Sequence, residues 1–222
     1  MIDLHTHTFL SDGVLLPAEL TRRAQVKGYR VIALTDHAGP SNLDFIVKRT
    51  VAAASELNPH VSIKIVPGVE LTHTPPSLFG PLTKKARELG ATIVVAHGET
   101  PVEPVAPGTN QAAIEAGVDI LAHPGLITAE ETELARKKGV LLEITTRKGH
   151  SLANGHVARM AKSFNAGMVL NTDAHAPSDL IDLEFARTVV LGAGLNETEL
   201  EVMRENALEL LRRIGQAPDT AR

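Results

Sequence analysis

Short apolar runs recur along the chain, and a segment with the hydrophobic spacing of a helix follows each one. The runs cover residues 2–5, 31–35, 61–71, 91–97, 119–123, 140–145 and 167–172. Short, continuously apolar runs are typical of parallel strands that are covered on both faces. The pattern therefore predicts seven strands and an α/β fold.

The segments between the runs carry signals for helix ends. We predict helices over residues 17–28, 41–57, 77–90, 109–117, 128–139, 154–164 and 178–192, and one or two amphipathic helices over 196–215. Pro17 suits a first helical turn, Ser41 is a candidate N-cap, and Thr128 with Glu131 forms a possible capping box. Seven strand–helix units suit either a barrel or an open doubly wound sheet.

Composition narrows the class of protein. The chain has 222 residues, of which 43% are hydrophobic, and no linker-like segment divides it, so we expect one domain over residues 1–222. We expect its C-terminal helices (about 196–214) to pack on the barrel and residues 216–222 to form a frayed tail. No run is long enough to span a membrane and no secretory signal precedes the first strand, which predicts a cytoplasmic protein without membrane contact. The sequence does not indicate the oligomeric state.

Charge and special residues limit the partners and the chemistry. A net charge of −4, the lack of tryptophan and a single tyrosine argue against a long nucleic-acid partner. The chain has no cysteine, so any metal must be held by His, Asp and Glu. No Gly-x-Gly-x-x-Gly turn follows the first strand and no P-loop is present, which disfavours dinucleotide binding and nucleotide hydrolysis of the P-loop type.

Residues that can bind metals lie at the predicted C-terminal end of every strand. They are His5, His7 and Asp12, then Asp36 and His37, Glu70, His97, His123, Glu143, and finally Asp173 and His175. His5 and His7 are two residues apart, so their side chains project from one face of an extended strand. A parallel barrel gathers its active site from this end of its strands. The distribution therefore predicts a metal site at the mouth of a barrel.

Five motifs in a fixed order carry a resemblance to a known family. They are DLHTHTFLSDG (3–13), TDHAG (35–39), GVE (68–70), AHP (122–124) and NTDAH (171–175). Together they resemble the signature motifs of the PHP (polymerase and histidinol phosphatase) superfamily over residues 3–176. The resemblance implies a distorted seven-stranded, TIM-like (βα)7 barrel, two or three divalent metal ions, and hydrolysis of phosphoesters.

The same resemblance implies which residues share each metal. One ion would be bound by His5, His7, Glu70 and Asp173, a second by Asp12, His37 and His175, and a third by His97 and His123 with Glu70 as a bridge. In some relatives a histidine ligand stands where this chain has Gly13, which leaves Asp12 as the ligand. Nitrogen and oxygen ligands suit Zn, Mn or Fe, and the sequence does not choose among them.

The implied reaction is attack of a metal-bridging hydroxide on a phosphomonoester, with His5, His7, Glu70 and Asp173 acting through the metal. The chain has neither cysteine nor a Gly-x-Ser-x-Gly motif that would supply a covalent nucleophile. Arg147 and Lys148 follow the sixth strand and are candidates to bind the phosphate, Arg147 being the better bidentate partner.

Other polar residues near the strand ends could support the site or contact the substrate. Glu99 is a candidate to contact substrate or to orient His97, and His150 is a candidate acid for the leaving group. Asp3 should point inward and hydrogen-bond an imidazole, whereas Asp36 should cap a turn. The roles of Glu143 and His73 stay open.

Three functions are compatible with these observations. The leading prediction is a metal-dependent phosphatase or phosphoesterase, similar to histidinol phosphatases, acting on a small phosphorylated substrate. A second is a nucleotide phosphatase or a 3'-5' exonuclease-like phosphodiesterase. A third is a metal-binding regulatory module without catalysis, which the near-complete set of ligand residues disfavours.

Overall fold

The parallel strands of the computed structural model, which describes residues 1–218, form a nearly closed barrel. They are β1 (Ile2–Asp3), β2 (Val31–Leu34), β3 (His37–Ala38), β4 (Lys64–Leu71), β5 (Ile93–His97), β6 (Ile120–Ala122), β7 (Leu141–Thr145) and β8 (Met168–Asn171). Because β2 and β3 both pair with β4, they fill one position in the barrel. Seven positions therefore follow one another in chain order, which confirms the predicted barrel and excludes an open doubly wound sheet.

Helices cover the outside of the barrel. Within residues 1–218 they are α1 (Pro17–Val26), α2 (Leu43–Leu57), α3 (Phe79–Glu88), α4 (Thr109–Glu115), α5 (Ala129–Lys138), α6 (Asn154–Phe164), α7 (Leu183–Gly192) and α8 (Glu197–Arg213). Over the same residues, no helix combines the length and hydrophobicity that a membrane crossing requires.

Several predicted boundaries shift. Asn42, not Ser41, is the N-cap residue of α2, and its Oδ1 accepts a hydrogen bond from Gly39 N. The capping box of Thr128 and Glu131 is present at α5. The last predicted segment is one helix, and four residues of the predicted tail, 219–222, lie outside the described residues.

Apolar side chains fill two layers. The strands place alternate residues inside the barrel, for example Val31 and Ala33, and the intervening residues under the helices. Helix α8 adds Leu210 and Leu211 to the interior cluster and packs against the barrel. The apolar interior ends below the C-terminal ends of the strands, where polar side chains replace it.

The barrel closes between its first and last strands. Asp173 N donates to His5 O at 2.9 Å, and His7 N donates to Ala174 O at 2.8 Å. These bonds place the chain just after β1 beside the chain just after β8. The His5-x-His7 and Asp173-x-His175 pairs are therefore neighbours although about 168 residues separate them in sequence.

Candidate metal centre

The centre of the barrel mouth is a buried cluster of two imidazoles and two carboxylates. His5 Nε2 lies 3.4 Å from Glu70 Oε1 and 3.6 Å from Asp173 Oδ1. His7 Nε2 lies 3.1 Å from the same oxygen of Asp173 and 3.8 Å from Glu70 Oε2. The structure thus brings together the four residues that the family resemblance assigns to one metal.

A second group lies at the edge of this cluster. Asp12 Oδ1 is 3.4 Å from His37 Nε2 and 3.3 Å from His175 Nε2. Ligand atoms of these three residues and His7 lie within 4.8 Å of one another. The Asp12 side chain is 57% exposed, so this group opens to solvent while the first is enclosed.

The loop that carries Asp12 is held from below by Asp36. Its Oδ1 accepts hydrogen bonds from Thr8 N at 2.7 Å and from Ser11 N at 3.1 Å. The expected turn-capping role of Asp36 matches this geometry. At Gly13 the same loop lies very close to the backbone of His7: a Cβ added at this position would lie 2.5 Å from His7 O. Glycine fits this close approach because it has no Cβ.

A third group lies on the opposite side of Glu70. His123 Nε2 is 3.8 Å from Glu70 Oε1, and the rings of His97 and His123 are 4.5 Å apart in an edge-on arrangement. His150 stacks on His123 at 4.2 Å. The backbone of His123 (φ +30°) and of Asp173 (φ +54°) lies in the left-handed region, which is uncommon for residues other than glycine and concentrates at functional sites.

Unpartnered buried atoms indicate what this centre binds. Within residues 1–218, Glu70 Oε1, Asp173 Oδ1 and His123 Nδ1 are buried and take part in no hydrogen bond. Buried polar atoms are normally satisfied, and leaving one unpaired is costly. Carboxylate oxygens and imidazoles that converge without sulfur donors fit divalent cations such as Zn²⁺, Mn²⁺ or Fe²⁺.

The electrostatics of the cluster are strongly coupled. Although burial opposes its protonation, the carboxylates of Glu143, Asp173 and Glu70 raise the pKa of His5 well above its usual value. Burial and the neighbouring His37 lower the pKa of His7 well below its usual value. Burial raises the pKa of Asp173 to about 7. These pKa shifts arise because several like and unlike charges lie close together in a buried site. Cations that bind there must compete with protons for the same side chains.

Glu143 supports the cluster from inside the barrel. It points inward from β7, and its Oε2 accepts hydrogen bonds from His5 Nδ1 at 2.8 Å and from Asn171 Nδ2 at 2.9 Å. The expectation for Asp3 was wrong: its carboxylate accepts from the backbone N–H and hydroxyl of Thr172 and from His5 N, not from an imidazole. Glu143, and not Asp3, therefore makes the hydrogen bond to an imidazole that the sequence led us to expect from Asp3.

A cavity of about 240 Å³ opens above the three groups. Polar side chains line it throughout, namely Asp12, His37, Thr72, His73, His97, Glu103, Arg147, His150, Asp173 and His175. Arg147 is the one arginine or lysine in this lining, and its Nη1 lies 3.1 Å from Asp179 Oδ2.

Two predicted substrate contacts are not brought into the cavity lining. Lys148 is exposed. Glu99 Oε1 accepts a hydrogen bond from Asn110 N at the start of α4, 2.9 Å away, which directs the carboxylate to the helix terminus. Sequence reasoning missed Glu103, which lies in the same loop and does line the cavity. Nothing in the sequence distinguishes Glu103 from Glu99, because loop conformation decides which carboxylate faces inward.

Curated relatives match nearly the whole chain. A PHP domain model matches residues 3–101. An uncharacterized protein of Methanocaldococcus jannaschii is 51% identical over 215 residues, covering 96% of this chain and 99% of that protein. A probable phosphatase of Thermoanaerobacter sp. (strain X514) is 26% identical over 242 residues, covering 97% of each.

Solved structures with low sequence identity share the fold. A chain of archaeal ribonuclease P, determined with mature tRNA, has a TM-score of 0.69 and 17% identity and covers 96% of this chain and 91% of its own. Histidinol phosphate phosphatase from Lactococcus lactis, complexed with Zn, L-histidinol and phosphate, has a TM-score of 0.59 and 18% identity, with coverages of 88% and 94%. Motifs, barrel and relatives agree, and the chain belongs to the PHP superfamily.

Proposed function

We propose that the protein is a metal-dependent hydrolase of phosphomonoesters that acts on a small molecule. The observation that carries the proposal is the convergence of buried, unpartnered carboxylate oxygens on imidazoles at the floor of a small polar cavity. The similarity to a probable phosphatase and the shared fold of a zinc-containing histidinol phosphate phosphatase support it.

Three groups of residues would hold the ions. His5, His7, Glu70 and Asp173 would form the central site, Asp12, His37 and His175 the solvent-facing site, and His97 and His123 with Glu70 the third. Divalent cations bound there would supply Lewis-acid activation of water and charge neutralisation at phosphoryl oxygens.

Arg147, which lines the cavity, would bind the substrate phosphate. Its ion pair with Asp179 occupies part of the guanidinium, and Asp179 is itself held by the backbone N–H groups of His175 and Ala176, both at 2.9 Å. Asp179 therefore acts as a positioning residue that presents Arg147 to the cavity. The remaining N–H donors are free to bind phosphoryl oxygens in the bidentate geometry that arginine favours.

The size of the cavity favours a phosphomonoester over a polymer. A volume of about 240 Å³ suits a phosphate and a small leaving group, and the rim carries the carboxylates of Asp12 and Glu103. A long polyanion would extend out of this volume beyond its terminal phosphate, onto the surface of a chain whose net charge is −4. We therefore place small phosphorylated metabolites and mononucleotides ahead of nucleic-acid chains.

The test combines metal analysis with a hydrolysis panel. The purified protein, loaded in turn with Zn²⁺, Mn²⁺ and Fe²⁺, is assayed on phosphomonoesters, mononucleotides and a short RNA. We expect stoichiometric metal and release of phosphate from monoesters. His5→Ala should lose both metal and activity, whereas the exposed His60→Ala should keep both. Stoichiometric metal without turnover across the panel would favour a binding module, and turnover of the RNA alone would favour a nuclease.

A further inference from the structure

One carboxylate at the cavity rim meets three imidazoles from three different parts of the chain. Glu103 Oε2 lies 3.0 Å from His73 Nε2 and 3.1 Å from His97 Nε2, and Glu103 Oε1 lies 3.4 Å from His150 Nε2. His97 ends β5, His73 and Glu103 lie on loops, and His150 begins a 3-10 turn (His150–Ala153) after β7. Glu103, His73 and His150 are outside the ligand set that the family resemblance implies.

The His150 ring is oriented as a metal ligand would be. Its Nδ1 lies 2.7 Å from Thr100 Oγ1, which leaves Nε2 to face the cavity. His97 has the same arrangement, with Nδ1 3.1 Å from Gly98 O and Nε2 facing Glu103. Histidines that bind metals usually have the second ring nitrogen fixed by an oxygen atom in this way.

The donor atoms are also close enough to share an ion. Ligand atoms of His97, His123 and His150 lie within 4.8 Å of one another, as do those of His73, His97 and Glu103. His97 belongs to both groups. The side chains of His97, His123 and His150 are almost fully buried, whereas Glu103 is about one-third exposed and enters from the solvent side.

We propose that His150 and Glu103 bind the same divalent cation as His97 and His123. This inference rests on the proposed metal-dependent function and extends the third site by two ligands. His73 contacts Glu103 from the exposed side and acts as a positioning residue for the carboxylate. The role of His150 is then ligation, which replaces the leaving-group acid predicted from the sequence.

The arrangement would connect a loop and a turn at the cavity rim to the strands of the barrel. Glu103 belongs to the 98–108 loop and His150 to the turn after β7, and neither is held in place by strand pairing. A cation bound by both would link this loop and turn to β5 and β6. The ion in the third site would thus order the rim of the cavity as well as its floor.

The test measures zinc binding without any substrate. Protein stripped with a chelator is reloaded with Zn²⁺, and its zinc content and the affinity of each bound ion are measured by mass spectrometry and by competition with a chromophoric chelator. The variants are Glu103→Gln and His150→Gln. Glu99→Gln and His156→Gln are matched controls, because Glu99 lies in the same loop and His156 lies six residues beyond His150, bonded to Ile127 O. His97→Gln is the positive control.

We expect Glu103→Gln and His150→Gln each to weaken the binding of one zinc ion, the same ion that His97→Gln affects, by at least the roughly 10- to 100-fold that follows loss of a residue supporting a ligand. The matched controls should keep the wild-type affinities. Circular dichroism of the zinc-free forms should give unchanged Tm values, which separates ligation from misfolding. Glu103 is about one-third exposed and lies on a loop, so its variant remains informative if His150→Gln does not fold.

Two outcomes would overturn the inference. If both variants keep wild-type zinc affinity while His97→Gln loses it, the third site exists but lacks these ligands. If His150→Gln keeps its zinc and loses turnover with poor leaving groups, His150 is an acid and not a ligand. A wild-type protein that binds no stoichiometric zinc, manganese or iron would instead overturn the proposed function itself.

Discussion

His5 donates a hydrogen bond from Nδ1 to Glu143 Oε2 across 2.8 Å, and this contact directs its Nε2 toward Glu70 and Asp173. Both partners are fully buried. The link joins β7, through the interior of the barrel, to the first motif of the chain. A buried carboxylate behind a histidine fixes the tautomer of the ring and increases its basicity as a ligand.

Replacing Glu143 should therefore weaken the central metal site without removing a ligand. We expect Glu143→Gln to lower metal affinity by about 10- to 100-fold, because a neutral amide is a weaker acceptor for His5 Nδ1. Metal content after dialysis against graded chelator measures the effect. Glu133→Gln, on the exposed face of α5, is the control and should retain the wild-type content. Equal retention by both variants would show that Glu143 does not support His5.

The close approach at Gly13 predicts a second effect on metal binding. We expect Gly13→Ala to displace the 8–13 loop, because its Cβ would lie 2.5 Å from His7 O, and so to lose the ion held by Asp12, His37 and His175. Overpacking of this kind also costs about 1–3 kcal/mol of stability. Metal counting and thermal unfolding measure both consequences.

A matched control for this substitution exists in the next βα loop. An added Cβ at Gly39 meets nothing within 4 Å, and that residue does not have a positive φ. Gly39→Ala should therefore keep the wild-type metal count and Tm. A normal metal count in Gly13→Ala would mean that the loop adapts and that Asp12 is not positioned by this contact.

Arg147 should affect substrate binding and not metal binding. Loss of a hydrogen-bonded charge on phosphate costs about 1.5–3 kcal/mol, so we expect Arg147→Ala to lower kcat/KM for phosphomonoesters by about 10- to 100-fold, mainly through KM. Lys148 is the next residue and lies outside the cavity lining, so Lys148→Ala should change kcat/KM very little. Equal effects of the two substitutions would assign the loss to general surface charge.

Asp3 should be important for stability, because it joins the first strand to the end of the last. In Asp3→Ala, the backbone donors of Thr172 and His5 would lose their buried partner. A buried unsatisfied donor costs about 1–3 kcal/mol, so we expect at least about 2 kcal/mol of lost unfolding free energy. Urea denaturation of metal-free protein measures this loss. Asp44→Ala, at an exposed site on α2, should have a much smaller effect, and a comparable loss there would argue against the barrel-closing role.

The sequence predicted the number of strands and the end of the barrel at which the candidate metal ligands gather, and the family resemblance added the barrel class and the grouping of those ligands. These are readable because a parallel barrel brings the C-terminal ends of all strands to one mouth. Asp12, His37, Glu70 and His175 come from four separate motifs and meet there. A residue at the C-terminal end of a predicted strand can therefore be placed at the barrel mouth from its position in the chain.

Tertiary structure alone decided the supporting contacts. The sequence led us to expect Asp3 beside an imidazole and left the role of Glu143 open, and the pairing across the barrel interior put Glu143 against His5. Glu99 and Glu103 are alike in sequence, and the conformation of one loop sends the first to a helix terminus and the second to the cavity. Such contacts depend on loop conformation and on approach between distant strands, and neither is encoded by local hydrophobic pattern.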